Sequence, residues 1–362
     1  MWWRAVARAR RRIPGARPVS TAAAGKSGRE VVVPRFGGPE VLEVRQGVPA
    51  PDLKPGEVLV RARAVSINPL DLRMRAGYGR CIFEPLLPLI VGRDISGEVA
   101  ATGTSVSSFY IGQEVFGALH PTAIRGTCAD YAVLSQDELT SKPSTLTHVA
   151  SAIPFAALTA WRALYGTAGI SKGQRLLVLG GGGAVGLSAV QLAVAAGCSV
   201  SATCGAQSIE QVLAAGAEKA IDYATEDAES TVTGKFDAVL DTIGVAETER
   251  IGINLLRRGG HYMTLQGEAA SLADRYGLYV GLPAATATLL KKQMQYRCSH
   301  GIEYWWTYMR ADPDGLHEIQ RLSGAGKLQI PVEKTFPISQ VREAHEAKEK
   351  RLVPGKVVLE FD

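Results

Sequence analysis

Apolar positions change rhythm twice along the chain. Over residues 31–150 they fall in short clusters. Val31-Val32-Val33 and Val41-Leu42-Glu43-Val44 flank Phe36-Gly37-Gly38-Pro39, and a partly alternating run follows from Val58 to Val65. Gly97–Ala101, Glu114–Phe116 and Ala129–Val133 continue the series, each bounded by Gly, Ser or Pro. Short runs with frequent turn residues predict a small β-barrel domain. From Thr147 the spacing turns helical, through an Ala- and Leu-rich stretch at Ala150–Gly166. Beyond it, strand-like clusters at 176–179, 199–204, 219–222, 237–241 and 260–265 alternate with helical stretches at 184–196, 208–215 and 247–257. That alternation predicts an α/β domain with a doubly wound parallel sheet. Gly216 stands where it can close the second helix.

Residues 268–311 carry an apolar Leu278–Leu290 run and Tyr304-Trp305-Trp306, with Tyr308 nearby. Core packing, a lid and a dimer surface all accommodate them. The final segment reads as Pro331-Val332, Phe336-Pro337, a helix near Gln340–Lys350 and a strand at Val357–Phe361. A terminal strand after a long α/β region is expected to return to the first domain.

One junction carries chemistry. Leu176–Leu179 is an apolar strand, Gly180–Gly183 a turn, and the residues from Ala184 run helically. Gly181, Gly183 and Gly186 have the spacing G-x-G-x-x-G. Strand, glycine turn and helix together predict a dinucleotide pyrophosphate site, because glycines admit phosphate close to free N–H groups at the helix start. Gly181, Gly182, Gly183, Ala184, Val185 and Gly186 are the candidate contacts. Leu187-Ser188 excludes a P-loop, which needs Lys-Ser/Thr there.

Charge alters the picture only at the N-terminus. The 362 residues have a net charge of +5, but residues 1–29 hold eight basic side chains and no acid, so the rest carries 32 basic against 35 acidic residues. A basic nucleic-acid-binding surface is therefore not predicted. The Arg-rich leader Met1-Trp2-Trp3-Arg4-Ala5-Val6-Ala7-Arg8 reads as a mitochondrial transit peptide, with cleavage near Val19-Ser20. No apolar stretch reaches the roughly 18–20 residues that span a bilayer. The five cysteines are widely spaced, which predicts free thiols and no structural zinc.

Several stretches together resemble the medium-chain dehydrogenase/reductase superfamily, and most of all its zinc-free quinone-oxidoreductase branch. They are Phe36–Leu42, Val65–Asp71, Arg75–Gly79, Gly92–Gly97, Ala157–Trp161, Ala215–Ala217, Ile221–Tyr223, Phe236–Asp241 and Gly355–Val358. The resemblance implies a GroES-like catalytic domain over 30–153 and a Rossmann domain over 154–311. It also implies a C-terminal segment, 312–362, that rejoins the first domain, after a leader at 1–29. Asn68 and Arg93 stand where zinc members place Cys and His. Neither is a zinc ligand of the preferred kind, so no metal is expected. Without a metal, hydrogen bonds must polarise the acceptor, which favours quinones and other α,β-unsaturated carbonyls.

Asn68, Tyr78 and Thr159 are the catalytic candidates. Asn68 either points its amide into a cleft or ties its turn; Tyr78, between Gly77 and Gly79, is a proton-donor candidate. The related enoyl-thioester reductases carry a proton-donating Tyr close to that point. Arg73 stands where quinone reductases often place a Tyr. Asp71 is expected to bond backbone, Arg93 and Asp94 to form a local ion pair, and His120 to lie in a Gly/Pro loop.

Cys204 replaces the acid that would grip an NAD ribose, so NADPH is the expected cofactor. Gly205, Tyr223, Thr242, Leu265, Leu352 and Val353 complete the expected cofactor contacts, and Lys219 or a residue near Tyr223 is expected to meet the adenosine phosphate. Ala184 puts a methyl where Gly would let phosphate come closest. The implied activity is hydride transfer from NADPH to a quinone or enone in mitochondria. Enoyl-thioester reduction and an NADPH-binding scaffold are the alternatives. A homodimer and a membrane-associated protein partner are further expectations of the resemblance.

Overall fold

The computed structural model describes residues 25–352 and 355–362. The leader to residue 24, with its cleavage site, and Val353 lie outside the described residues. The first domain is built from β1 (Ser27–Val33), β2 (Glu43–Pro49), β3 (Glu57–Ile67), β4 (Leu89–Ile90), β5 (Asp94–Thr102), β6 (Glu114–Ala118), β7 (Tyr131–Ser135) and β8 (Leu139–Ser141). β1 starts at Ser27, so the fold begins slightly before residue 30. Arg29 is held there by Asp130, its backbone N–H and side chain donating at 2.6–3.1 Å. β3 is the spine, because its alternating residues face the core on one side and β5 and β7 pair along its two edges.

The second domain is the predicted parallel sheet: β9 (Arg175–Leu179), β10 (Ser199–Cys204), β11 (Lys219–Asp222), β12 (Phe236–Asp241), β13 (Leu256–Thr264) and β14 (Glu303–Trp306). Its order is β11-β10-β9-β12-β13-β14. The order reverses beside β9, which is where a doubly wound sheet opens a ligand crevice at its carboxyl ends. Leu176–Leu179 are buried on both faces, as a central parallel strand requires. Burying each such side chain stabilises the fold by about 1.5–3 kcal/mol.

The segment 268–311 resolves into helices Ala269–Tyr276 and Leu278–His300, followed by β14. Tyr304 belongs to the core, stacked between Tyr262 and Tyr296. The long helix leaves Tyr279, Val280 and Met294 exposed. β15 (Val332–Pro337) and β16 (Lys356–Glu360) then rejoin the first domain, with β16 antiparallel to β3. No described helix is long and apolar enough to cross a membrane.

Candidate active site

At the glycine turn the backbone itself is the site. Gly180 has φ +89, a left-handed conformation that suits Gly, and its N–H donates to Thr203 O at 3.1 Å. A Cβ on Gly186 would stand 2.1 Å from Gly180 O, so helix Ala184–Ala195 packs directly on the strand end. Its first turn begins at Ala184, with Gly183 as N-cap and no side chain capping it. Leu187 N–H is the first to bond back, to Gly183 O at 2.7 Å. The N–H groups of Ala184, Val185 and Gly186 are thus left facing outward, as a bound anion needs. Ala184 is itself half-buried. These residues fit a dinucleotide pyrophosphate.

Around this turn the other cofactor candidates take several positions. Thr242 is anchored by its hydroxyl to Leu179 O at 2.9 Å, and Leu265 donates its N–H to Asp241 O at 3.2 Å, so both sit at strand ends beside the turn. Cys204 closes β10 with its thiol buried, next to the half-buried Gly205, and burial raises its pKa. Tyr223 and Leu352 are mostly exposed, at 68% and 67%. Lys219 does not reach this end. It pairs with Ser201, whereas Cys204 pairs with Asp222, and its Nζ donates to Thr231 O. Three residues of strand separate it from Cys204, about 10 Å. Ser208, which the sequence did not single out, lies against Gly182, with its Oγ 2.6 Å from where a Cβ there would stand.

The second part of the site is a buried polar junction. Asp94 Oδ2 accepts from Ser66 Oγ at 2.5 Å, Asn68 Nδ2 at 2.8 Å and Lys356 Nζ at 2.7 Å, while Oδ1 accepts from Phe155 N–H at 2.7 Å. Lys356 also donates to Ser66 Oγ and to Asn68 Oδ1 at 2.8 Å. The expected Arg93–Asp94 ion pair is therefore replaced by Lys356–Asp94. Arg93 turns away and donates to the carbonyls of Gly92, Pro121 and Ala123. Arg93 stands just before β5 and is engaged by loop carbonyls, whereas Asp94, the first residue of the strand, faces the junction. Asn68 ties its amide into this junction at both ends. Asp71 bonds backbone as expected, accepting from Asn68 N–H at 2.8 Å and Gly92 N–H at 3.2 Å, and burial lifts its pKa to about 6.

Helix Pro154–Trp161 begins at the Asp94 junction and carries Thr159, whose hydroxyl donates to Phe155 O at 2.7 Å. The loop holding Tyr78 is latched to the second domain. Asp274 of helix Ala269–Tyr276 accepts from Gly79 N–H at 2.7 Å and Cys81 N–H at 3.0 Å. Arg73 lies over the Tyr78 ring, 4.2 Å from its centroid, and donates to Gln266 Oε1 at 3.1 Å. Gln266 follows Leu265, so the contact spans the crevice. Burial raises the Tyr78 pKa and Arg73 opposes that rise. The His120 ring meets Thr122 Oγ1 at 2.8 Å while its backbone N–H donates to Glu138 Oε1 at 3.1 Å, and burial lowers its pKa. Gly244, Val245, Thr264 and Gln266 line a cavity of about 450 Å³ together with Glu249 and Tyr304.

This two-domain geometry has relatives. Residues 54–144 match the family model described as alcohol dehydrogenase GroES-like domain, and 215–359 the one described as zinc-binding dehydrogenase. The chain is 35% identical over 350 residues to the mouse "NAD(P)H oxidoreductase RTN4IP1, mitochondrial", covering 91% of this chain and 88% of the relative. The chain belongs to the medium-chain dehydrogenase/reductase superfamily. A second relative, "2-methylene-furan-3-one reductase" of Solanum lycopersicum, is 31% identical and covers 76% of this chain and 73% of its own. Among solved structures, the quinone oxidoreductase from Coxiella burnetii superposes with a TM-score of 0.77 at 27% identity, covering 93% of this chain and all of that one. The GroES-like and Rossmann assignments thus hold, and the mitochondrial location read from the leader agrees with the mouse relative's name.

Proposed function

We propose that this protein is an NADPH-dependent reductase of quinones or other α,β-unsaturated carbonyls that works without zinc. The observation that carries the reading is the pairing of a bare-backbone anion cradle, Gly180–Gly186, with the Arg73–Tyr78 pair that reaches Gln266 of the second domain, beside Leu265. The relatives named above as NAD(P)H oxidoreductase, furanone reductase and quinone oxidoreductase support it. NADPH supplies the hydride when bound.

The chain's own residues do the rest. The first-turn N–H groups from Ala184 to Gly186 hold the pyrophosphate, and the Cys204 end of β10 presents no carboxylate side chain of its own to a 2′-phosphate. Ser208 and Gly205 stand beside it. Asn68 and Thr159 are fixed through Asp94, Thr159 by way of its helix, and so shape the wall where the acceptor lies. Tyr78 supplies the proton at its phenol oxygen. Metal chemistry is disfavoured by the donor set: Asn68 is bonded to Asp94 and Lys356, and Arg93 fills the place of a ligand with a cation. Orientation of the two reactants in the crevice supplies much of the rate.

The test is NADPH oxidation by the chelator-treated protein with a panel of quinones, enals and enoyl-thioesters. Turnover with quinones or enals supports the reading. Activity confined to enoyl-thioesters and lost in Tyr78→Phe supports the thioester alternative. Tight NADPH binding without turnover on any acceptor supports a scaffold.

A further inference from the structure

The crevice donors expected to polarise the acceptor are already engaged. Asn68 Nδ2 donates to Asp94 and Thr159 Oγ1 to Phe155 O. Arg73 differs. Among the described residues its guanidinium makes one hydrogen bond, Nη1 to Gln266 Oε1, which leaves Nε and Nη2 without a partner. No described carboxylate lies within salt-bridge distance of it, unlike Arg75, which pairs with Glu349 at 2.8 Å. Its plane is held by the Tyr78 ring below and the Gln266 amide beside it. Tyr308 packs on Gly267, the residue after Gln266, with its hydroxyl 1.7 Å from where a Cβ there would be. An exposed, unpaired guanidinium fixed at a crevice mouth next to Leu265 is an oxyanion receptor in search of its anion.

We propose that Arg73 is a catalytic residue of this reductase, receiving the oxygen of a quinone or enone acceptor as negative charge develops there. The proposal rests on the reductase reading above. As the hydride and its electron pair reach the acceptor carbon, the π electrons of the conjugated system move onto the carbonyl oxygen. Arg73 exchanges the neutral Gln266 amide for that oxygen. Tyr78 then gives its phenol proton to the oxyanion, or to the α-carbon of the enolate, and the tyrosinate left beneath the guanidinium regains a proton from water. The acceptor gains two electrons and two hydrogens, and NADPH loses the hydride. A cation at this place also favours acceptors whose reduced form is an enolate or phenolate over simple aldehydes, whose alkoxide cannot delocalise.

The experiment compares wild type, Arg73→Met and Arg73→Lys. Removing one oxyanion-hole donor typically lowers kcat by about 10²–10³. Because Arg73 is exposed, Arg73→Met is expected to lose about 30-fold or more in kcat/KM for a quinone and an enone, with Arg73→Lys recovering part of it. The second readout is p-nitrophenol, a mimic of the reduced acceptor, titrated into the NADP⁺-loaded protein. Wild type should bind it as the yellow phenolate, and Arg73→Met should bind it more weakly and as the phenol. Melting temperatures should agree, since the side chain is on the surface. Wild-type turnover combined with unchanged kcat/KM and unchanged phenolate binding in Arg73→Met overturns the role of Arg73 while leaving the reductase reading intact. A wild type without turnover on any acceptor overturns both.

Discussion

Replacing Lys356 by Met tests the junction from which Asn68 and helix Pro154–Trp161 are hung. Met keeps most of the apolar stem and removes the charge. Asp94 is fully buried, and it would lose the cation 2.7 Å away while keeping Ser66, Asn68 and Phe155 as donors. Breaking one side of a buried ion pair costs about 3–5 kcal/mol. The three remaining donors place this case near the lower end, at about 3 kcal/mol, or roughly 150-fold in the unfolding equilibrium. Urea titration followed by circular dichroism measures it, provided the m-value is unchanged. The double variant Asp94→Asn with Lys356→Met should lose less than the sum of the two singles, by about 2 kcal/mol, because the pair is removed together. A loss under about 1 kcal/mol in Lys356→Met, with additive singles, would refute the view that this ion pair organises the wall of the crevice.

Three further outcomes follow from the geometry. Gly186→Ala places a methyl against Gly180 O, where only backbone can yield, so NADPH affinity measured by fluorescence titration should fall at least tenfold. Cys204→Asp puts an acid where a ribose 2′-hydroxyl is gripped, and the ratio of NADPH to NADH affinity should drop by an order of magnitude or more, with unchanged ratios counting against the cofactor assignment. His345 is buried 3.3 Å from Arg75, which together with burial pushes its pKa down to about 3. The unfolded chain therefore binds this proton first. Stability should fall as pH drops from about 6.5 towards 3, by up to about 1.4 kcal/mol per pH unit, and His345→Gln should flatten that slope in urea titrations across the window.

The sheet was legible because its first five strands are short runs bounded by turn residues and alternate with helical stretches. The sixth strand was not, since Tyr304-Trp305-Trp306 follows a long helix whose exposed Tyr279, Val280 and Met294 blur its periodicity. The glycine turn was equally plain, because strand, turn and helix are contiguous. The polar junction was hidden. Ser66, Asp94, Phe155 and Lys356 are brought together from four separate stretches of chain, and only folding shows that Asp94 chooses Lys356 over its neighbour Arg93. Gly355-Lys356 read only as part of a stretch shared with the superfamily, just ahead of the terminal strand. Arg73 stood out as a departure from the expected Tyr, but its partner Gln266 lies 193 residues away. Asp274 and its latch on Gly79 and Cys81 left no signal in the sequence, because an exposed-looking acid on a helix has no pattern that announces a cross-domain contact.

The most direct test of hydride delivery uses NADPH deuterated at C4 of the nicotinamide, on each face in turn, with an enone acceptor and the chelator-treated protein. Mass spectrometry of the product should find deuterium at the β-carbon from one face only, with the second hydrogen drawn from solvent. Reduction without deuterium at carbon from either face, or turnover that disappears with the chelator, would contradict the account.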